Sequence, residues 1–252
     1  MIHFVGAGCG AADLITVRGQ RLLGEADVVI YAGSLVNPAL LTGVKEGAKI
    51  YNSAEMTLEE VLSVMYDAEE RGLATVRLHT GDPCLYGAIR EQMDALDKKG
   101  IAYDYTPGVS SFCGAAAALN MEYTLPGVSQ SVVITRMAGR TPVPERESVR
   151  SFAQHRATMV LFLSTGLLEK TQEELLTGGY EPETPAAIVY KASWPDEKTI
   201  LCTVSSLADC AKQNGIKKTA LIIVGDAVKQ SGYARSELYN PAFATEFRPA
   251  KE

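Results

Sequence analysis

Three short stretches of this chain carry residue types and spacings suited to small-molecule chemistry. The first, "FVGAGCGAADLITVRG" (4–19), runs an apolar strand into Gly6, Gly8 and Gly10 ahead of an expected helix. That is the outline of a nucleotide-binding turn, and Gly6-x-Gly8-x-x-Ala11 satisfies the loose dinucleotide fingerprint. Such a site needs an acidic residue about 20 positions later, at the end of the second strand, to hold a ribose. Here that end is Tyr31-Ala32, and Asp27 stands at the wrong end of the strand. No Gly-Lys-Ser/Thr follows either, so a triphosphate loop fails as well. The motif stays open between a functional turn and a merely tight strand–helix connection.

The second stretch, "RLHTGDPCLYG" (77–87), ends a strand in Thr80, Gly81, Asp82 and Pro83 before Tyr86-Gly87 opens a helix. Glycine lets a ligand approach the backbone, proline fixes the turn, and Asp82 offers a carboxylate where α/β sheets bind ligands. An ordinary Asp-Pro turn is the competing reading. The third, "TPGVSSF" (106–112), is a Pro-Gly turn in which Ser110 or Ser111 caps the following helix. Arg136, Arg140, Arg146, Arg150 and Arg156 lie in or near a Pro-rich connection. They suit solvated surface charge, or the paired-donor recognition of carboxylates. Neither a nucleophile elbow nor a histidine partner supports a hydrolase triad. Five scattered cysteines without a C-x-x-C, and three scattered histidines, give neither a disulfide framework nor a zinc site.

The elements that must position these stretches alternate through the first half. Strands are expected at 2–5, 27–32, 48–52 and 74–79, with helices from about Leu14 to Glu25, over 57–72 and over 87–99. In "TLEEVLSVMYDAEERG", Thr57 and Glu60 form a capping box and Leu58, Val61, Leu62, Met65 and Ala68 make one apolar face. From about Leu125 the pattern changes: strands at 158–164, 186–193, 198–204 and 220–228 enclose helices at 167–176 and near 206–214. "YKAS-WPDE-KTILCTV" reads as a hairpin. The fold class expected is α/β, in two domains, 1–124 and 125–252, with a ligand cleft between them. The first sheet should be mainly parallel and the second mixed.

Net charge is −6 and mean hydropathy is near zero. An acidic chain argues against a broad nucleic-acid surface. No apolar run reaches the roughly 18–20 residues of a membrane span, and no signal peptide is visible. A reduced, cytoplasmic setting is expected.

The three loops, in this order, resemble the tetrapyrrole methyltransferase superfamily, also called class III S-adenosylmethionine methyltransferases. "VGAGCGAADLITVRG" is similar to its N-terminal signature, "HTGDPCLYG" to its G-D-P-x-x-Y-G loop, and "TPGVSS" to its third loop. "TMVLFLST" and "ALIIVGDAV" match two later strands, so the resemblance runs to about residue 230. "IYAGSLVNPALL", "YNSAEMTLEE" and "ITRMAGRTPVPE" resemble the branch that methylates C11 of precorrin-4 or cobalt-precorrin-4 in cobalamin (vitamin B12) synthesis. Two departures stand out. Cys9 replaces a proline usual between the second and third glycines, and Tyr31-Ala32 replaces the Tyr-Asp of relatives that methylate uroporphyrinogen III.

The resemblance implies S-adenosylmethionine as cofactor, held by Thr80, Gly81, Asp82, Leu85, Ser111 and Phe112. Leu163, Ala187 and Ala220 join them by strand pattern alone. It turns the first glycine loop toward a polycarboxylate tetrapyrrole, with Gly8, Gly10, Arg18, Ser34, Arg136 and Arg140 as the expected substrate residues. No catalytic residue carries over, no protein-bound metal is expected, and a homodimer is implied. Rival readings are methylation of another tetrapyrrole carbon, an NAD(P)-dependent oxidoreductase, and a non-catalytic binding protein.

Overall fold

A computed structural model describes residues 1–250. Five short strands build the first sheet: β1 (Ile2–Gly6), β2 (Val28–Tyr31), β3 (Lys49–Asn52), β4 (Thr75–His79) and β5 (Tyr103–Thr106). All are parallel, in the order β3-β2-β4-β1-β5. β4 is buried along its whole length, the state of a parallel strand covered on both faces. Alternate residues feed opposite cores. Phe4 and Ile30 pack with Met65 and Leu96, while Val5 and Val29 pack with Leu23 and Leu78.

The helices of this half are α1 (Val17–Glu25), α2 (Pro38–Leu41), α3 (Leu58–Glu70), α4 (Arg90–Asp97) and α5 (Ser111–Leu119). α3 carries the expected capping box at Thr57 and Glu60. α1 starts three residues later than expected, because Ala12–Leu14 forms a separate 3-10 turn and Thr16 caps the Gly19 amide at 3.1 Å. α4 also starts late, at Arg90, since Tyr86 (φ 57°) and Ala88 (φ 50°) are left-handed and cannot belong to a helix.

The second sheet contains β6 (Val132–Arg136), β7 (Thr158–Phe162), β8 (Pro185–Tyr190), β9 (Lys198–Thr203) and β10 (Ala220–Val224), ordered β6-β7-β10-β8-β9. Only β6 and β7 run parallel; the other pairs are antiparallel, including the expected β8–β9 hairpin. Helices α6 (Val149–Ala153), α7 (Leu168–Gly178) and α8 (Leu207–Gln213) cover a core around Met159, Leu161, Leu175, Ile188 and Ile222. The architecture is thus α/β with one parallel and one mixed sheet.

The chain falls into two compact units. The first holds Met1–Gly114 with Ala192–Asp196, the tip of the β8–β9 hairpin; the second holds Ala115–Lys191 and the residues from Glu197 onward. The division passes through α5, so the turn cluster at 125–130 lies inside the second unit. Among the described residues no helix is long and apolar enough to cross a membrane.

Candidate functional site

Parallel pairing of β4, β1 and β5 brings their carboxyl ends side by side, with Gly6 level with His79 and Val5 level with Thr106. The loops leaving those ends meet backbone to backbone at three glycines. A Cβ on Gly6 would stand 2.6 Å from both the Gly108 Cα and the Gly81 carbonyl oxygen, and one on Gly108 would stand 2.7 Å from the Gly6 Cα. These distances leave no space for a side chain. Gly8 and Gly81 also form an antiparallel bridge: the Gly81 amide donates to Gly8 at 2.8 Å and the Gly8 amide to Gly81 at 3.3 Å. Both have positive φ, 84° and 62°, which glycine adopts without strain.

Asp82 ties the second loop to its neighbours. Its carboxylate accepts the Cys84 amide at 2.9 Å, the Gly108 amide at 3.0 Å and the Tyr105 hydroxyl. Burial works against its charge, but the bonds from Tyr105, Cys84 and Gly108 outweigh it, so the carboxyl lies below its ordinary value. Burial and the bond to Asp82 raise the Tyr105 hydroxyl. Beside this clamp, Gly81 lies against Ser111, where a Cβ would meet the amide nitrogen at 3.5 Å and Oγ at 3.6 Å. Thr80, Gly81, Asp82 and Ser111 are therefore neighbours. Thr80, Leu85, Ser111 and Phe112 are half-buried, which leaves apolar and hydroxyl surface together at the loop.

The first glycine loop is engaged internally. The Ala7 amide donates to His79 at 2.7 Å, the Gly8 amide to Gly81, and the Ala11 amide to Ser193 Oγ at 3.0 Å. A dinucleotide cradle needs such amides free for phosphate, and here these three are spent on holding the loop to its neighbours. Gly10 lies under the hairpin tip: a Cβ there would stand 2.6 Å from the Trp194 Nε1 and 2.7 Å from the Ala192 carbonyl. Asn37 fixes it from another side, donating to the Gly10 carbonyl at 2.8 Å. The unusual Cys9 is buried, with its thiol 3.3 Å from Ser193 Oγ. Sequence reading missed Ser193, Trp194 and Tyr105. Trp194, the sole tryptophan, was the one signal available.

In the second unit, Leu163 and Ala220 stand at the same end of the sheet, since Leu161 pairs with Ile222 two residues earlier and later. Leu163 is 69% exposed and left-handed at φ 51°, a strained, solvent-facing conformation of the kind found at ligand sites. Ala187 is different. It pairs with Ile223, inside the sheet, and is fully buried.

The expected substrate residues separate by burial. Gly8 and Gly10 are buried, whereas Arg18, Ser34 and Arg140 are exposed. Arg136 is occupied with its own connection, donating to the carbonyls of Met137, Thr141 and Pro142 at 3.3, 3.1 and 3.0 Å. Arg150 and Arg156 form surface ion pairs with Glu174 and Glu181. Buried His79 is lowered to about 3, first by desolvation and then by the charge of Arg77, so it stays neutral at pH 7. Among the described residues no cluster of three or more His, Cys, Asp or Glu is placed to hold a metal ion.

A parallel sheet and a mixed sheet, with a clamped G-D-P turn at the strand ends of the first, define a class: the chain belongs to the tetrapyrrole (corrin/porphyrin) methylases, whose family pattern matches residues 1–208. Over 247 residues it is 53% identical to a cobalt-precorrin-4 C(11)-methyltransferase of Methanocaldococcus jannaschii, covering 98% of this chain and 95% of that one. The X-ray structure of a cobalt precorrin-4 methyltransferase, described as a cobalamin biosynthetic enzyme, superposes with a TM-score of 0.88 at 47% identity, over 90% of this chain and 95% of that one. A uroporphyrin-III C-methyltransferase from Thermus thermophilus, complexed with S-adenosyl homocysteine, gives 0.75 at 28% identity, over 91% and 99% of the two chains.

Proposed function

We propose that this chain transfers a methyl group from S-adenosylmethionine to C11 of cobalt-precorrin-4, a step of cobalamin synthesis. The observation that carries this is 53% identity, sustained over 98% of the chain, with a relative of that name. Two local features belong to the segments that resemble the C11 branch. Asn37, within the "AGSLVNP" segment similar to that branch, holds the Gly10 carbonyl. Tyr31, where an acid follows in the uroporphyrinogen branch, closes β2 and is followed by Ala32.

S-adenosylmethionine supplies a methyl group on a sulfonium, which is already a strong electrophile, and a reduced tetrapyrrole carbon is electron-rich. The protein's task is then alignment and exclusion of water. Holding donor and acceptor in line accounts for up to roughly 7–11 kcal/mol of barrier lowering in favourable cases. Thr80, Gly81, Leu85, Ser111 and Phe112 hold the cofactor, and Asp82 holds the loop through Tyr105, Cys84 and Gly108. Arg18 and Arg140, both exposed, are the cations available to substrate carboxylates, while Arg136 shapes its connection. His79, neutral and buried, is outside the proton chemistry that follows transfer.

We extend this reading to a cytoplasmic homodimer. All five cysteines are unpaired, and Leu201, Leu238, Tyr239 and Phe247 leave large apolar side chains exposed. Sedimentation at micromolar concentration tests the dimer. For the activity, the protein is incubated with S-adenosylmethionine and cobalt-precorrin-4, metal-free precorrin-4 or uroporphyrinogen III, followed by mass spectrometry. The cobalt substrate is expected to gain one methyl group, placed at C11 by NMR of labelled product. No gain, or a faster gain on uroporphyrinogen III, overturns the reading.

A further inference from the structure

Arg77 is a charged side chain inside the wholly buried strand β4 and is 6% exposed. Among the described residues no carboxylate pairs with it. Its Nε donates to Gln92 Oε1 at 3.1 Å and its Nη1 to the Ile30 carbonyl at 3.0 Å. Burial lowers its pKa to about 10, so the guanidinium stays charged at pH 7. A buried cation without an anion is costly, which asks what its neutral partners gain.

Gln92, on α4 and 5% exposed, passes the contact on: its Nε2 donates to the Ala88 carbonyl at 2.9 Å. A guanidinium has only donors, so it fixes the Gln92 amide with oxygen inward and its NH2 toward Ala88. Ala88 is the residue that needs holding. It and Tyr86 take positive φ, 50° and 57°, and on Gly87 between them a Cβ would stand 2.8 Å from the Pro83 Cα. The chain therefore returns from the Thr80–Leu85 loop to α4 through a strained turn, with its last carbonyl anchored from below.

We propose that Arg77 and Gln92 are positioning residues for the cofactor loop, forming a buried relay from β4 through α4 that holds Ala88 left-handed and so fixes Thr80–Leu85. This rests on the reading that the loop binds S-adenosylmethionine. Asp82 secures the front of the loop on β5 and Gly108, and the relay secures its return.

Gln92→Glu tests the relay in the full-length protein. Glutamate still accepts from Arg77, so the fold keeps its buried partner, but it has no donor for Ala88. Calorimetric titration is expected to show the S-adenosylhomocysteine Kd rising about tenfold, with the melting temperature kept. KM for S-adenosylmethionine should rise with it, while KM for the tetrapyrrole stays. Adding Ala88→Gly should restore most of the affinity, since glycine adopts positive φ without being held. If Gln92→Glu melts early, Arg77→Met/Gln92→Leu exchanges both polar partners for apolar side chains of similar shape, with the same loss and the same rescue expected. Unaltered affinity in a folded relay variant, or a loss that Ala88→Gly leaves unrestored, overturns the relay alone. A wild-type protein that fails to bind S-adenosylhomocysteine overturns the cofactor reading and the relay with it.

Discussion

Asp82→Asn separates a carboxylate that clamps the loop from one that only touches the cofactor. In the folded chain Oδ1 accepts the Cys84 amide and the Tyr105 hydroxyl, and Oδ2 accepts the Gly108 amide. Asparagine offers one acceptor oxygen and turns an NH2 toward the remaining donor, so one of these contacts becomes donor against donor. A hydrogen bond to a charged acceptor contributes about 1.5–3 kcal/mol when shielded. Asp82 is half-exposed, which places the expected loss near the lower end, about 1.5 kcal/mol. Tyr105→Phe removes one donor and leaves the carboxylate untouched, at an expected cost of about 1 kcal/mol. Urea denaturation of both single variants and the double variant gives the coupling, expected at roughly 0.5–1 kcal/mol. Calorimetry with S-adenosylhomocysteine should show Tyr105→Phe weakening cofactor binding through the loss of its hydroxyl's bond to Asp82. Additive stabilities, together with wild-type affinity in Tyr105→Phe, would refute the clamp.

Two further outcomes follow from the same loops. The folded pKa of His79, about 3, lies below the ~6.5 of a free imidazole, so the unfolded chain takes up the proton first as pH falls. The stabilisation is complete above about pH 6.5 and is lost as pH falls toward 3, which amounts to about 2 kcal/mol between pH 7 and pH 5. Urea midpoints of wild type and His79→Leu at those two pH values test it, and an equal pH dependence in both contradicts it. Gly108→Ala drives a Cβ to 2.7 Å from the Gly6 Cα and into the Gly81 carbonyl, and the overpacking should cost about 1–3 kcal/mol or more and remove cofactor binding. Gly166→Ala, with nothing within 4 Å of its Cβ, is the neutral control, and equal melting temperatures for the two variants would dismiss the three-glycine contact.

Much of the fold could be read locally. α3 declares itself through Thr57, Glu60 and one apolar face, and β1, β2 and β4 are short runs rich in β-branched residues, whereas β5, Tyr-Asp-Tyr-Thr, carries no such signal. The G-D-P turn was legible because glycine, aspartate and proline have few uses in that order at a strand end. What makes it a site was not. Tyr105 reaches Asp82 from 23 positions away, and Ser193 reaches the Ala11 amide from 182 away. Such pairs exist only once the strands are ordered. Arg77 was a visible anomaly, a cation within "ATVRLH", yet its partners on β2 and α4 depend on tertiary packing. α2 and α6 were missed because they are short, although Asn37-Pro38 and Ser148 are start signals in each case.

The glycine loop shows how one residue pattern serves two physical ends. In a dinucleotide site glycines let phosphate approach open amides; here they let three strand-end loops approach one another, and the amides of Ala7, Gly8 and Ala11 already have protein acceptors. The consequence reaches beyond packing. Gly8 and Gly81 exchange both backbone hydrogen bonds, so the first glycine loop and the G-D-P loop are one bridged piece of backbone. In-line transfer depends on the separation of donor and acceptor to within fractions of an ångström. The two-residue bridge fixes the separation of these two loops through the backbone itself, and it favours glycine at both positions because both stand at positive φ.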